Sequence, residues 1–162
     1  MEPSRALNLA TLLDRSARMW PRLPAVAQGP RVLHDYAALA RRVARMAGAM
    51  RDAGLAPGDR ALVVSRNAPA YIETLFACWW AGLVAVPVNS KLHARELAFV
   101  QQDSGARWTF ADERWCDAIT GETAGADARS ERIIVLGGRE HEAMCAAAGT
   151  ADVAAVDPTT PA

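Results

Sequence analysis

The residues best suited to metal binding are three histidines and three cysteines, and they are scattered along the chain. The Glu-His-Glu run around His141 lacks the His-Glu-x-x-His spacing that places two ligands on one helix face, and His34 and His93 are isolated. Cys78, Cys116 and Cys145 form no Cys-x-x-Cys pair, so neither a disulfide framework nor a four-thiolate zinc site is indicated. The sequence therefore predicts no metal site, a buried apolar role for Cys78, and a solvated helix start around His141.

Motifs for nucleophilic catalysis and for phosphate binding are incomplete. Ser65 and Ser90 follow apolar runs but lack the Gly-x-Ser-x-Gly flanks that expose a nucleophile. Gly137-Gly138 is the only candidate phosphate cradle, and it lacks both the third glycine of a dinucleotide loop and a following Gly-Lys-Ser/Thr. We expect a turn at this pair. An independent nucleotide-binding domain would rest on these two glycines alone.

One cation is notable for its position. Lys91 is the only lysine in the chain and follows the apolar run at residues 84–88. Open α/β sheets bind ligands beyond the carboxyl ends of their strands, so an anion-binding role fits Lys91, as does an ordinary exposed lysine. The residues alone thus indicate an α/β domain without a complete active site.

Composition and charge limit the class of protein. The chain has 162 residues, about one domain, and 18 Lys+Arg balance 18 Asp+Glu, which gives no basic footprint for nucleic acid. No signal peptide is visible, and the odd, dispersed cysteines suit a reducing cytoplasm. The longest uncharged run, residues 74–90, is interrupted by Gly82 and Pro87. We interpret it as a buried helix followed by a buried strand rather than a membrane span.

Apolar periodicity places these residues on alternating helices and strands. Asn8 and Asp35 are expected N-caps, and Gly54 and Gly82 are expected just beyond helix ends. The expected elements are helices near residues 9–20, 36–50, 69–81 and 94–104, a hairpin at 25–33, and strands at 61–64, 84–88, 108–110 and 133–136. Alternation of this kind predicts an α/β fold with a mainly parallel sheet and helices on both faces, in three layers. Residues 120–130 are expected to form an exposed loop, and residues 151–162 a linker.

Four stretches occur in a fixed order and spacing. They are residues 32–39 (VLHDYAAL), 54–60 (GLAPGDR), 67–89 (beginning NAP and ending AGLVAVPVN) and 95–107 (beginning REL). Together they resemble the N-terminal part of the acyl-adenylating ligases, the superfamily of acyl-CoA synthetases, luciferases and peptide synthetases. The departures are small: His34-Asp35 replaces the usual Thr before Tyr36, and Ala38 replaces the usual Glu. Asp35 keeps the N-capping chemistry of the residue that it replaces.

The resemblance implies an ATP-dependent acid–CoA ligase. Such enzymes convert a carboxylate and ATP to an acyl-adenylate and then to an acyl-CoA, so ATP, Mg²⁺ and CoA are the cofactors implied for the complete enzyme, with a fatty or aryl acid as substrate. The family's phosphate loop and catalytic lysine do not map onto residues 1–162. We therefore assign no catalytic residue and expect the chain alone to be inactive. Residues 1–156 are expected to be an incomplete N-terminal segment of the AMP-binding domain, and residues 157–162 a linker toward the phosphate loop.

The resemblance also suggests one binding region and a partner. In CoA-forming relatives the loop after this strand lies near the thiol-cofactor channel, which makes Asn89, Ser90 and Lys91 candidate CoA-proximal residues. The expected partner is the remainder of the ligase, in the same or a separate chain. The alternative is a non-catalytic binding or interaction module that pairs with a separate chain. If the chain is part of a ligase, an apolar face without its second half is expected to make the isolated chain self-associate.

Overall fold

Helices and strands alternate along the chain in the computed structural model, which describes residues 8–122, 130–156 and 161. The helices are α1 Ala10–Met19, α2 Tyr36–Asp52, α3 Pro69–Ala81, α4 Ala94–Ser104, α5 Glu113–Glu122 and α6 Arg139–Cys145. The strands are β1 Pro24–Gln28, β2 Arg31–Asp35, β3 Arg60–Ser65, β4 Val84–Asn89, β5 Trp108–Ala111 and β6 Arg132–Val135. The uncharged run thus forms α3 followed by β4, as predicted. None of the described helices is both long enough and apolar enough to cross a membrane.

The main sheet has four parallel strands in the order β4-β3-β5-β6. Its central strand β3 pairs with β4 from Arg60 opposite Val84 to Ser65 opposite Asn89, and with β5 on its other side. Residues 61–65 of β3 are all buried, because a central parallel strand is covered on both faces. This burial explains why β3 is a continuous apolar run in the sequence instead of an alternating pattern.

Two hydrophobic cores cover the two faces of the sheet. Ala61 and Val63 of β3 face the larger core, to which α1, α2, α3 and α6 contribute, while Leu62 and Val64 face a smaller core with Leu97. The smaller core is closed by α4 and α5, which pack against each other. The predicted three-layer α/β fold with a mainly parallel sheet is confirmed.

The N-terminal part adds a small hairpin before the first long helix. Strands β1 and β2 pair antiparallel, as expected. Directly after β2, the Asp35 carboxylate accepts a hydrogen bond of 2.7 Å from the Ala38 amide and caps α2. Asn8 likewise accepts a hydrogen bond of 2.8 Å from the Ala10 amide at the start of α1. The Asp35 prediction is confirmed, whereas the N-cap of α1 is Leu9, one residue after the predicted Asn8.

Two expectations about loops were wrong. Helix α5 extends into the segment expected to be a loop at residues 120–130, of which residues 123–129 lie outside the described part. The expected linker is also attached at its start: the Ala151 amide donates to Ala44 O at 3.0 Å, and the Ala154 amide donates to Trp80 O at 2.9 Å. The Trp80 indole donates back to Ala151 O at 2.7 Å. Residues 151–154 therefore belong to the folded body, while the boundary expected at residue 156 stays a prediction.

Candidate functional site

The carboxyl ends of β3, β4, β5 and β6 lie along one edge of the sheet because all four strands are parallel. Along the chain the sheet grows from β3 to β4 and then returns to the other side of β3 with β5. Open α/β sheets bind ligands in the crevice where the strand order reverses in this way. The candidate functional site is therefore the set of residues that follow these strands, 65–67, 89–91, 112–114 and 136–138, which we call the carboxyl edge.

Asp112 connects β3 and β5 at the centre of the carboxyl edge. The Ser65 hydroxyl lies 2.6 Å from Asp112 Oδ1, and the Arg66 amide donates to Asp112 Oδ2 at 3.1 Å. The Asp112 amide in turn donates to Val64 O at 3.0 Å. These hydrogen bonds fix the backbone at the reversal point, and the Arg66 side chain, 74% exposed, lies beside the crevice with Nε 3.8 Å from Asp112 Oδ2.

A groove of about 460 Å³ runs between the ends of β3 and β4. Its lining residues are Ser65, Arg66, Asn67, Tyr71, Pro87, Val88, Asn89 and Ser90. A second groove of about 430 Å³ lies between the ends of β5 and β6, and Arg66 and Asp112 line it as well. Arg66 therefore stands between two concave surfaces, where its charge can attract an anionic group from either one.

The structure places two of the three expected CoA-proximal residues on the first groove. Asn89 and Ser90 line it, whereas Lys91 is exposed and is not among the lining residues. Asn89 Oδ1 accepts a hydrogen bond of 2.9 Å from the Lys91 amide, and Arg114 donates to Ser90 O at 2.7 Å. One hydrogen bond within the turn and one from Arg114 on α5 thus hold the backbone after β4. The Lys91 side chain is exposed to solvent.

Arg66, Asp112 and Arg114 are carboxyl-edge residues that the sequence-based candidates omit. Arg66 and Asp112 each come directly after a buried strand, and that position is the signal that could have found them. By contrast, Gly137-Gly138 forms the expected turn. The Gly138 amide donates to Val135 O at 3.0 Å and is already engaged within that turn, so this pair makes a poor anion cradle.

His141 is a correction to the sequence-based expectation. We expected residues 140–142 to form a solvated helix start, yet the His141 side chain is fully buried. The reason is that α6 packs against α2, so one face of this short helix turns inward. His141 lies beside Cys145, Glu73 and Thr74, and together with Arg42 these residues form what we call the buried polar cluster.

An ion pair between α2 and α3 organises the buried polar cluster. Arg42 donates to Glu73 Oε1 at 2.7 Å and to Glu73 Oε2 at 3.0 Å, and it also bonds both carboxylate oxygens of Glu142 on α6. His34 Nε2 lies 3.0 Å from Glu73 Oε1. The hydrogen bonds with Glu73 outweigh the effect of burial and raise the pKa of Arg42 above its usual value. The Glu73 side chain, only 2% exposed, is thus held on α3 by Arg42 from α2 and His34 from β2.

Burial sets the protonation of the other two titratable groups in the cluster. It lowers the pKa of His141, an effect that the nearby Glu73 and Glu142 carboxylates oppose. It raises the pKa of the Cys145 thiol to about 12, although Arg42 acts in the opposite direction. In the metal-free protein at neutral pH, His141 is therefore a neutral imidazole and Cys145 a thiol. The pKa of Cys78, whose predicted buried role is confirmed, is likewise raised to about 12 by burial.

An open parallel α/β sheet with a polar carboxyl edge defines a class of ligand-binding α/β domains. Within that class the family is clear, because residues 13–162 match the family model described as AMP-binding enzyme. The chain belongs to this family. The resemblance seen in the four ordered sequence stretches is thereby confirmed.

Individual relatives are enzymes that activate acids. The chain is 45% identical over 111 residues to a feruloyl-CoA synthase of Amycolatopsis sp, covering 68% of this chain and 22% of that protein. It is 39% identical over 133 residues to a fatty acid–[acyl-carrier-protein] ligase of Streptomyces coeruleorubidus, covering 80% of this chain and 25% of that protein. The chain thus spans about a quarter of the length of these two relatives.

A solved structure carries the same fold. The inhibitor-bound N-terminal domain of FACL13 from Mycobacterium tuberculosis matches with a TM-score of 0.79 at 25% identity, over 93% of this chain and 38% of that one. The agreement extends over nearly the whole chain, so the sheet and its flanking helices are those of an acyl-CoA ligase N-terminal domain.

Proposed function

We propose that this chain is the N-terminal part of an ATP-dependent, AMP-forming acid–CoA ligase. The observation that carries the proposal is the family match over residues 13–162. The names of two relatives, a feruloyl-CoA synthase and a fatty acid–[acyl-carrier-protein] ligase, both describe acid activation. An aryl or fatty acid is therefore the proposed substrate class, and a reducing cytoplasm the proposed setting.

The proposed reaction has two steps. The substrate carboxylate attacks the α-phosphorus of ATP and releases pyrophosphate, and the CoA thiol then attacks the acyl-adenylate carbonyl and releases AMP. The contribution of this chain is positional: its sheet supplies a rigid carboxyl edge. We assign it no catalytic residue, and we propose that the 162-residue chain alone is inactive.

The carboxyl edge suits an anionic group better than a metal ion. The carboxyl edge carries three cations, Arg66, Lys91 and Arg114, against two carboxylates, Asp112 and Glu113, and this balance of charge favours an anion. We therefore assign Mg²⁺ no residue here. Arg66 and Lys91 are exposed cations at and beside the first groove, and they fit a phosphate group of CoA better than its thiol end.

Lys91→Ala in the complete ligase tests the proposed CoA proximity. Because an exposed ion pair contributes about 0.2–1 kcal/mol, we expect the KM for CoA to rise by about 1.5- to 5-fold with the KM for ATP unchanged. Arg95→Ala, which removes an exposed cation from α4, is the matched control and is expected to leave both constants unchanged. An unchanged KM for CoA in Lys91→Ala would exclude a role for this side chain in CoA binding.

The nucleotide sequence after the codon for Ala162 tests whether the remainder of the ligase follows in the same chain. We expect the reading frame to continue into a Ser/Thr/Gly-rich loop that ends in lysine. Assays of the protein so encoded with ferulate, benzoate and a long-chain fatty acid would then identify the acid. A frame that ends at Ala162, with no separate gene for the remaining part nearby, would favour a non-catalytic interaction module instead.

A further inference from the structure

Three side chains with metal-binding atoms meet in the interior, away from the carboxyl edge. They are Glu73 on α3 and His141 and Cys145 on α6, all buried, and their ligand atoms lie within 4.8 Å of one another. Cys145 Sγ is 4.0 Å from Glu73 Oε2 and 4.0 Å from His141 Nδ1. We propose that these three residues bind a divalent cation that prefers sulfur and nitrogen ligands, with Zn²⁺ as the best fit.

The orientation of the His141 ring supports the proposal independently of these distances. The Thr74 hydroxyl donates its hydrogen to Ala70 O at 2.8 Å, so Thr74 Oγ1 accepts from His141 Nε2 at 3.1 Å. That bond places the ring proton on Nε2 and leaves the lone pair on Nδ1, which lies 4.0 Å from Cys145 Sγ and 3.8 Å from Glu142 Oε1. Metal-binding histidines are typically held in this way, with the second ring nitrogen bonded to a fixed acceptor.

The donor set determines which cation suits the site. One thiolate, one imidazole and one carboxylate are ligands that Zn²⁺ accepts, whereas Mg²⁺ requires six oxygens in near-octahedral geometry. Zinc–ligand bonds of about 2.0–2.3 Å at tetrahedral angles give ligand separations of about 3.5 Å. The two separations of 4.0 Å from Cys145 Sγ must therefore shorten by about 0.5 Å, and the separation between Glu73 and His141, which lies within 4.8 Å, by up to about 1.3 Å, through rotation of the Cys145 and Glu73 side chains.

Charge balance also favours a divalent ion once the thiol has lost its proton. Glu73, Glu142 and the Cys145 thiolate then carry three negative charges, which Arg42 and a divalent cation neutralise. Arg42 uses one lone-pair position on each Glu73 oxygen and His34 lies at a second position on Oε1, so one of about four positions, on Oε2, remains for an ion. With the ion bound, the buried negative charges are neutralised. Without the ion, the Cys145 thiolate would be an uncompensated buried charge.

One of the three proposed ligands, Glu73, borders a groove at the surface, whereas His141 and Cys145 lie behind it. Glu73 and Arg42 line a groove of about 440 Å³ together with His34 and Glu142, so Glu73 forms part of the wall between the groove and the buried sulfur. An ion can enter along this wall, and a water molecule from the groove can take the fourth coordination position. The proposed site is therefore buried yet reachable.

Titration of the full 162-residue chain with Co²⁺, a spectroscopic probe for tetrahedral zinc sites, tests the proposal. We expect one Co²⁺ to bind per chain with a thiolate-to-cobalt charge-transfer band, and Zn²⁺ to displace it. Cys145→Ser is expected to abolish the band and to raise the Kd for Zn²⁺ at least 100-fold. Cys116→Ser, a half-buried cysteine on α5, is the matched control and is expected to retain both.

Thr74→Val provides a second test that does not remove a ligand. Loss of the acceptor for His141 Nε2 is expected to raise the Kd for Zn²⁺ about 10- to 100-fold while the charge-transfer band remains. Absence of the band in the unsubstituted chain would overturn the proposal, as would a band that survives in a folded Cys145→Ser variant. If Cys145→Ser does not fold, the spectrum of the unsubstituted chain and the Thr74→Val affinity decide the outcome.

Discussion

Glu73 is the side chain on which most of the interior polar contacts converge. It lies on α3, it is almost fully buried, and it binds Arg42 from α2 through both carboxylate oxygens. Arg42 in turn holds Glu142 on α6. A buried ion pair of this kind adds little net stability compared with apolar packing, but removal of one partner leaves an uncompensated charge. The charge balance between α2 and α3 therefore depends on this carboxylate.

Glu73→Gln is expected to destabilise the fold strongly. The substitution keeps the size of the side chain but leaves the partly buried Arg42 without its main counter-charge, and loss of one partner of a buried pair costs about 3–5 kcal/mol. Urea denaturation in the presence of a metal chelator measures the change. Glu142→Gln, in which the replaced side chain is 51% exposed, is the control and is expected to cost less than about 1 kcal/mol. Equal effects of the two variants would contradict this interpretation.

Individual residues could be predicted from sequence where their role is local. The Asp35 cap and the burial of Cys78 follow from neighbouring residues, and both are confirmed. His141 was assigned to solvent because its burial depends on packing of α6 against α2, and Thr74, its hydrogen-bond partner, is 67 residues away. No local pattern encodes a contact of that separation.

At the scale of elements, the end of α3 is the most constrained junction. Gly82 has φ +82° and terminates α3 in the left-handed conformation, and its carbonyl accepts a hydrogen bond of 2.9 Å from the Gly58 amide. A Cβ at this position would lie 2.9 Å from Ala154 Cβ and 3.2 Å from Pro57 Cβ. Glycine is therefore required here both for backbone conformation and for the space between α3 and residues 151–154.

Comparison of Gly82→Ala with Gly54→Ala separates these two requirements. Gly54 has φ +89° but no atom within 4 Å of an added Cβ, so its substitution carries only the left-handed backbone cost of about 1–2 kcal/mol. Gly82→Ala is expected to cost at least 1 kcal/mol more, because Ala154 or Pro57 must move. Thermal or chemical denaturation of both variants measures the difference. If they were equally stable, residues 151–154 would not be packed against α3 as described.

Most elements could be predicted from sequence, and the exceptions have physical reasons. Strands β3 to β6 and helices α2 to α4 carry strong periodic or continuous apolar patterns with glycine or proline at their ends. Helix α5 was not predicted, and the small, polar residues from Thr120 onward indicated a loop where its last three residues lie. The attachment of residues 151–154 was missed because backbone hydrogen bonds to Ala44 and Trp80 leave no trace in an irregular sequence.

At the scale of the whole molecule, several large apolar side chains remain in contact with solvent. Leu12, Met19, Trp20 and Leu23 fall within one stretch around α1 and are each about half exposed, and Phe99 on α4 is 65% exposed. Apolar side chains concentrated in one segment indicate a surface suited to contact with further polypeptide.

The isolated chain is therefore expected to self-associate with increasing concentration. Sedimentation velocity over a range of concentrations measures this, and the double variant Leu12→Glu/Trp20→Glu is expected to shift the distribution toward monomer. Phe99→Glu, on the opposite layer of the fold, is the control and is expected to have a smaller effect. A chain that stays monomeric at all concentrations and unfolds cooperatively would contradict the expectation.

The most direct test of the central claim is acid-dependent ATP–pyrophosphate exchange in a chimaera. The feruloyl-CoA synthase of Amycolatopsis sp, 45% identical over 111 residues, would receive this chain in place of its corresponding N-terminal segment. We expect ferulate-dependent exchange by the chimaera, but none by the 162-residue chain alone or by the synthase without its N-terminal segment. Exchange by the chain alone, or a folded chimaera without activity, would contradict the claim that this chain is the N-terminal part of an AMP-forming ligase.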